Sequence, residues 1–507
     1  MKLRRLAIGE YLLLRDLDLR FDRPGRLDTG NYALDFLVGV NGSGKSTVLR
    51  ALAQIIADLR ADRTTDFSYV LEYELQGRDM PLQVFIEQHE DGSRRMKVTS
   101  ASPEAPVVYE APAIDQSYLP RYLVIHSTGS EIEWEDLLKR TVAEGQIEAA
   151  ASETLADPLK RSVAELPGHL PRAEKGARTE EGGLPILLVR TARLPLVTLC
   201  GLLAHLAAPS KPLEDVLRSA GMHHIHGFSL RFRLHSALSD FTTFNVLKRY
   251  ASRHVRQGND HLLVFDLSSD PEGLAFRLLG DPDIGGSLAL FRKLDRLMEA
   301  GETGDADLQQ ISIFFERDIQ PSDETGPERD VTRLLLLDWL SDGEQSFLGR
   351  MAMLVMFDAE DSLILLDEPE VHFNDYWKRQ IVALLNSVMQ AHTNHLLIAT
   401  HSSILLSDVT EGHITSLVRR DDGFAESIEF TGPTFGADPS SIMVHVFDTG
   451  TAVGAFSAQY LASALDRDDP AELEALLSRI GVGYWFFRIQ NRLERHRASQ
   501  DRLSPEP

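Results

Sequence analysis

Residues 39–47, GVNGSGKST, alternate glycines with short polar side chains and end in a lysine and two hydroxyls. These residue types can wrap a polyphosphate. Gly39, Gly42 and Gly44 let successive backbone amides turn inward, with Asn41, Ser43 and Thr47 on the same loop. The start of a helix adds its positive end, Lys45 reaches the terminal phosphates, and Ser46 can ligate a Mg²⁺ ion. The apolar run Ala33–Val38 before the loop and the helical periodicity after it supply the strand and helix that the pattern G-x-x-x-x-G-K-[ST] requires.

Three further stretches carry groups that could act on such a phosphate. SLILLDEPE places Asp367 and Glu368 at the end of an apolar strand, Asp367 to hold Mg²⁺ through water and Glu368 to act as general base on the attacking water. LLIATH delivers His401 from a second apolar strand. LSDGEQ, Leu340 to Gln345, opens a predicted helix with Ser341 and Gly343 at its N-terminus. Taken alone, Ser341 is a helix N-cap before an acidic first turn, two acids close a solvated strand, and His401 ends a strand.

The elements that must position these groups read as α/β. The first 90 residues are strands interrupted by one helix from Lys45, whose Val48, Leu49, Leu52, Ile55, Ile56 and Leu59 fall on one face. Between 131 and 325 the texture becomes mainly helical with polar linkers such as AELPGHLPRAEKGARTEEGG, and this segment reads as an insertion. Strand character returns in LQQISIFFERD and TRLLLLDWL, and helix, strand, helix and strand then follow through 326–430. The expected organisation is an N-terminal lobe over 1–130, the insertion over 131–325, a second lobe over 326–430 and an extension over 431–507.

Composition narrows the class. The 507 residues, 43% of them apolar, can bury a large core, and one cysteine, Cys200, excludes an internal disulfide framework. A reducing, cytoplasmic setting follows from that cysteine usage. The most apolar stretch, 184–208, is broken by Arg190, Arg193 and Pro195, so it reads as a buried strand and helix rather than a membrane span. A net charge of −24 opposes indiscriminate binding to phosphate polymers but leaves room for a local basic groove.

In the order phosphate loop, LSDGEQ, acid pair and histidine, the chain resembles the ABC-type ATPases, and LSDGEQ resembles the LSxGE variants of SMC and RecF-like proteins. The resemblance implies an ATP-dependent dimer or higher oligomer, in which Ser341 and the Gly343 amide of one protomer cap the γ-phosphate held by the other. It implies ATP and Mg²⁺ as cofactors, His401 as a switch histidine on that phosphate and on the attacking water, and Glu368 as the hydrolytic base. Asp342 stands where the family carries a glycine or small residue. HSTG, 126–129, lies where a glutamine loop on the metal side is expected.

The roughly three hundred residues between Lys45 and Ser341 differ from the short spacing of transporter subunits. DEPEVHF, with Glu370 and His372, resembles the corresponding stretch of RecF- and OLD-like ATPases. TFGADPSSIMVHVFDTG and the aromatic-basic tail 472–493 resemble the Septu and retron-associated, PtuA-like defence ATPases, which implies an HNH-type nuclease partner and a role in antiviral defence. Only about 105 residues follow His401, too few for the metal-binding nuclease domain of OLD-like proteins beside the FGADPSS tail, so a nuclease would act in trans. The alternative is a RecF- or SMC-like repair ATPase that clamps DNA. Lys248, Arg249, Arg253 and Arg256 in 247–257 recur at near-helical spacing, as a solvated helix face or a nucleic-acid contact.

Overall fold

Long apolar runs with no polar alternation form the centre of the molecule because strands covered on both faces must be apolar on both. In the computed structural model, which describes residues 1–26, 31–77, 80–100, 108–111, 113–129, 131–138, 186–234, 240–299, 307–318, 332–357, 361–389, 393–428, 430, 432–447 and 453–501, five such runs are buried throughout or nearly so. They are β3 (Ala33–Val38), β8 (Leu123–Ser127), β15 (Leu363–Asp367), β16 (His395–Thr400) and β17 (Ile414–Arg419). With β9 (Ile186–Val189) they make a parallel block in the order β17-β3-β16-β15-β8-β9.

The register brings their carboxyl ends level. Val38 pairs with Thr400, and Asp367 pairs with both Ala399 and Ser127. Everything that follows these strands therefore meets at one edge, where open α/β sheets bind ligands.

The other half of the 13-stranded sheet is antiparallel. From the outer edge it runs β7 (Val108–Ala111), β6 (Arg94–Ser100), β5 (Leu82–Gln88), β4 (Tyr69–Leu75), β1 (Lys2–Tyr11) and β2 (Leu14–Arg20), and β18 (Ala425–Ile428) joins it to β17. Here burial alternates along the strand, as in β4, because one face packs on the core and the other is open. The helix Lys45–Arg60 lies in the angle between the halves, and its six periodic apolar residues are at most 1% exposed.

The helices expected between 131 and 325 are present: Leu194–Ala207, Glu214–Ser219, Phe241–Tyr250, Pro271–Leu279 and Ser287–Met298. A second sheet accompanies them, contrary to the reading of linkers between helices. It has the order β11-β12-β10-β13-β14, with β10 (His224–Arg233), β11 (Arg253–Gln257), β12 (Asp260–Asp266), β13 (Leu308–Asp318) and β14 (Thr332–Leu336) all antiparallel. The linker 164–183 lies outside the described residues.

This segment is fused to the rest of the unit rather than hung from it. The helix Leu194–Ala207 packs on the helix Asp342–Met356 so closely that a Cβ on Gly201 would lie 2.2 Å from the Ala352 carbonyl oxygen. Cys200 is fully buried on the same helix, and burial pushes its thiol far above the usual range. Residues Met1–Gly436 form one compact unit, and Ala437–Pro507 form a second. The second is helical, with Leu461, Ala464, Leu473, Ile489 and Leu493 as its core. Among the described residues no helix is long and apolar enough to cross a membrane.

Candidate nucleotide-binding site

The loop after β3 is shaped by its glycines. Gly42 and Gly44 have φ of 80° and 100°, a region that L side chains avoid. Gly39 is required for space: a Cβ there would meet the Leu417 carbonyl oxygen at 2.3 Å and the Ser43 hydroxyl at 2.5 Å. Lys45 is 5% exposed, and its ammonium donates to the carbonyls of Gly39 at 2.8 Å and Val40 at 3.3 Å. Burial lowers its pKa, and the charges of Glu368, Asp367 and Glu370 oppose that shift. Among the described residues the buried Ser43 hydroxyl has no hydrogen-bond partner. A cradle with an orphan hydroxyl and an ammonium resting on its own carbonyls fits an anionic ligand that would recruit both.

The metal-side groups converge from one helix and two strands: Ser46 opens the helix Lys45–Arg60, Asp367 ends β15 and Ser127 ends β8. Ser46 Oγ donates to Asp367 Oδ1 at 2.9 Å, and Ser127 Oγ donates to Oδ2 at 3.4 Å. Burial raises the Asp367 pKa, while the Ser46 and Ser127 hydroxyls pull it down and the Glu368 charge adds to the rise. Ser127 belongs to the HSTG stretch, so that stretch brings a hydroxyl to the aspartate where a glutamine was expected. An oxygen-only set of one carboxylate and a hydroxyl suits Mg²⁺, which takes its remaining ligands from phosphate and water.

Glu368 has φ of 52°, a left-handed conformation that costs a non-glycine residue on the order of 1–3 kcal/mol. Two contacts hold it there: its amide donates to the Ala399 carbonyl at 2.9 Å, and Thr128 Oγ1 donates to its carbonyl at 3.2 Å. The strain aims the carboxylate at His401, whose Nδ1 lies 3.0 Å from Glu368 Oε1. With Glu368 ionised, Nδ1 donates and Nε2 remains for a ligand. Behind them, the buried Glu370 accepts a hydrogen bond from the Thr400 hydroxyl, which also accepts from the Ser402 amide at 2.9 Å. Burial pushes the Glu370 carboxyl up.

Ser341 caps the helix Asp342–Met356 in a capping box: its hydroxyl accepts from the Glu344 amide, and the Glu344 carboxylate accepts from the Ser341 amide at 2.8 Å. The residue is exposed at the helix tip. Gly343 is required by its neighbour, since a Cβ would lie 2.7 Å from the His372 carbonyl oxygen.

Residues 221–407 match a family model described as "AAA domain, putative AbiEii toxin, Type IV TA system". The match spans LSDGEQ, the acid pair and His401. The fold is mixed α/β, built on one large mixed sheet. No match is found among curated proteins. Solved structures that align include an SMC head bound to the C-terminal winged-helix domain of ScpA, at 11% identity and TM-score 0.34 over 85% of this chain and 98% of that one. An SMC head bound to the C-terminal domain of ScpA from Pyrococcus furiosus aligns at 10% identity and TM-score 0.32, covering 85% and 96%. The SMC head from Thermotoga maritima aligns at 12% identity and TM-score 0.28, covering 85% and 100%.

The basic stretch 247–257 is not one helix. Lys248 and Arg249 end the helix Phe241–Tyr250, the backbone turns extended at Ala251, and Arg253 and Arg256 lie on β11. A two-residue hairpin at Gly258 and Asn259, with Gly258 at φ of 62°, sets this register. Arg249 and Tyr250 are also engaged, at 3.2 and 2.9 Å from Asp281. In the tail, Arg492 and His496 both bind Asp468, at 2.7 and 2.8 Å, and Arg497 binds Glu474 at 2.8 Å.

Proposed function

We propose that this chain binds and hydrolyses ATP as a dimeric switch whose output is control of a partner nuclease in antiviral defence. One observation carries the ATPase reading. Ser46, Asp367, Glu368 and His401 meet at the carboxyl edge of the parallel block beside the glycine loop, with Glu368 strained toward His401. In this reading the loop amides and Lys45 bind the phosphates, and Ser46 and Asp367 would hold Mg²⁺. That ion would neutralise charge developing on the transferred phosphoryl oxygens. Glu368 takes the proton of the attacking water, and His401 orients water and γ-phosphate through its free Nε2.

The dimer reading is supported by where Ser341 stands. Ser341 is exposed at a helix N-terminus, the kind of group that can cap a phosphate presented by a second copy. ATP binding would draw two protomers together and hydrolysis would release them. The partner, an HNH-type nuclease, is supported by the resemblance of the tail to defence ATPases.

Two variants test this reading. Glu368→Gln is expected to keep ATP bound and the dimer closed in gel filtration, with turnover reduced by roughly 100-fold or more. Ser341→Arg is expected to bind ATP as a monomer. Rapid ATP release from the first, or an ATP-induced dimer of the second, would refute the composite site.

A further inference from the structure

Arg350 lies inside the helix that Ser341 caps and is only 2% exposed. A guanidinium this deep must spend its donors well or destabilise the fold. Its Nε donates to His126 Nε2 at 3.1 Å. Its Nη1 donates to the carbonyls of Pro369 and, at 2.8 Å, Val371, and its plane lies 4.9 Å from the Phe373 ring centroid. Burial lowers its pKa only to about 10, so the charge persists at neutral pH.

His126 extends the chain of contacts. Since Nε2 accepts from Arg350, the proton sits on Nδ1, which donates to the Val189 carbonyl at 2.8 Å. Val189 ends β9, just before the helix Leu194–Ala207 that packs on the Ser341-capped helix. The residue after His126 is Ser127, a partner of Asp367. Three elements therefore meet at one guanidinium, the Ser341 helix, the loop after the acid pair and the end of β8, and His126 links a fourth, the end of β9.

That loop needs a clamp. Glu368 and His372 both have positive φ, of 52° and 73°, on either side of the two carbonyls that Arg350 holds. We propose that Arg350 is a positioning residue for hydrolysis: it ties the loop bearing Glu368 to the Ser341 helix, so that engagement of Ser341 by a nucleotide is transmitted to the hydrolytic carboxylate. Lysine cannot replace it, because one ammonium cannot reach an imidazole and two carbonyls in the planar spread of a guanidinium. This role rests on the ATPase reading above.

Arg350→Lys and His126→Leu are to be compared with His126→Gln, whose amide oxygen can stand in for the Nε2 acceptor. The readouts are phosphate release, affinity for a fluorescent ATP analogue, and hydrogen exchange at amides 370–373. The first two variants should lower kcat roughly tenfold or more, hold affinity within about threefold, and speed exchange at 370–373 about tenfold. His126→Gln should return kcat and exchange toward wild type. Unchanged kcat and exchange in Arg350→Lys overturns the coupling, as does a fall in kcat matched by an equal loss of affinity. If the wild type releases no phosphate, the ATPase reading fails, and exchange at 370–373 alone decides whether Arg350 holds the loop. Should Arg350→Lys fail to fold, His126→Leu decides on the same readouts, since it keeps the arginine and removes only the Nε acceptor that orients the guanidinium on the carbonyls of Pro369 and Val371.

Discussion

Lys45 and Ser341, the two halves of the proposed composite site, are built in opposite ways. Lys45 is sunk in a loop whose glycines press against β17 and whose hydroxyls reach the aspartate of β15. Ser341 stands exposed on a helix tip and is satisfied by its own first turn. The loop half is shaped from within the fold, so its geometry is fixed before any ligand arrives. The Ser341 half is presented outward, and in the proposed switch a second copy would complete its task. The difference teaches that changes to the first half should damage fold and binding together, whereas changes to the second should separate them.

The severest break is Gly39→Ala. Its Cβ would strike the Leu417 carbonyl, which is sheet backbone and cannot retreat without disrupting β17. We expect a loss of about 3 kcal/mol in urea unfolding and at least roughly 100-fold weaker binding of an ATP analogue in a fluorescence titration. Near-normal affinity with normal stability would show that the loop half is not braced by β17.

Acid should act next, and on the interior alone. Burial pushes the imidazoles of His126 and His205 down to about 4 from the usual 6.5. Between those values the unfolded chain takes up protons that the folded chain refuses, so stability falls as pH drops through that window. Each histidine should cost about 2 kcal/mol at pH 5 relative to pH 7.5. His205 accepts from the Leu213 amide through Nδ1 at 3.0 Å, so His205→Gln can keep that bond and should remove its share of the acid sensitivity. Denaturant midpoints at the two pH values measure it.

How much of this was legible depends on range. Gly39 to Ser46, Asp367, Glu368, His401 and Ser341 are each announced by their immediate neighbours, because a loop before a helix or a charge after an apolar strand is a local pattern. The parallel block that levels their strand ends follows from fully apolar runs such as β3 and β16. Arg350 was not legible: one arginine in an apolar helix gives no sign that it faces the carbonyls of Pro369 and Val371. Ser127 was noticed only by its place in HSTG, since a hydroxyl at a strand end is ordinary. Of the second sheet, β13 and β14 read as strands, whereas β10 to β12 escaped because β10 pairs with β12 and β13 across intervening helices and its residues alternate too weakly to outweigh the helical stretches between. At 247–257 the counting of basic residues overrode the glycine hairpin at Gly258 that sets the register.

The smallest expected effect on stability is the sharpest test of the comparison. Ser341→Ala removes the hydroxyl that accepts from the Glu344 amide and leaves the Ser341 amide free to keep its bond to the Glu344 carboxylate. Loss of an N-cap costs about 1 kcal/mol, a shift of a few degrees or less in Tm for a domain of this size. If Ser341 were only a cap, ATP turnover would follow that small loss and stay near wild type. If it completes a phosphate site for a second copy, turnover should fall by roughly tenfold or more and ATP-dependent dimerisation should weaken in gel filtration, with binding to the isolated protomer's loop unchanged. A hydroxyl that matters little to the fold and much to assembly would set the outward half apart from the braced one on energetic grounds, independent of any resemblance.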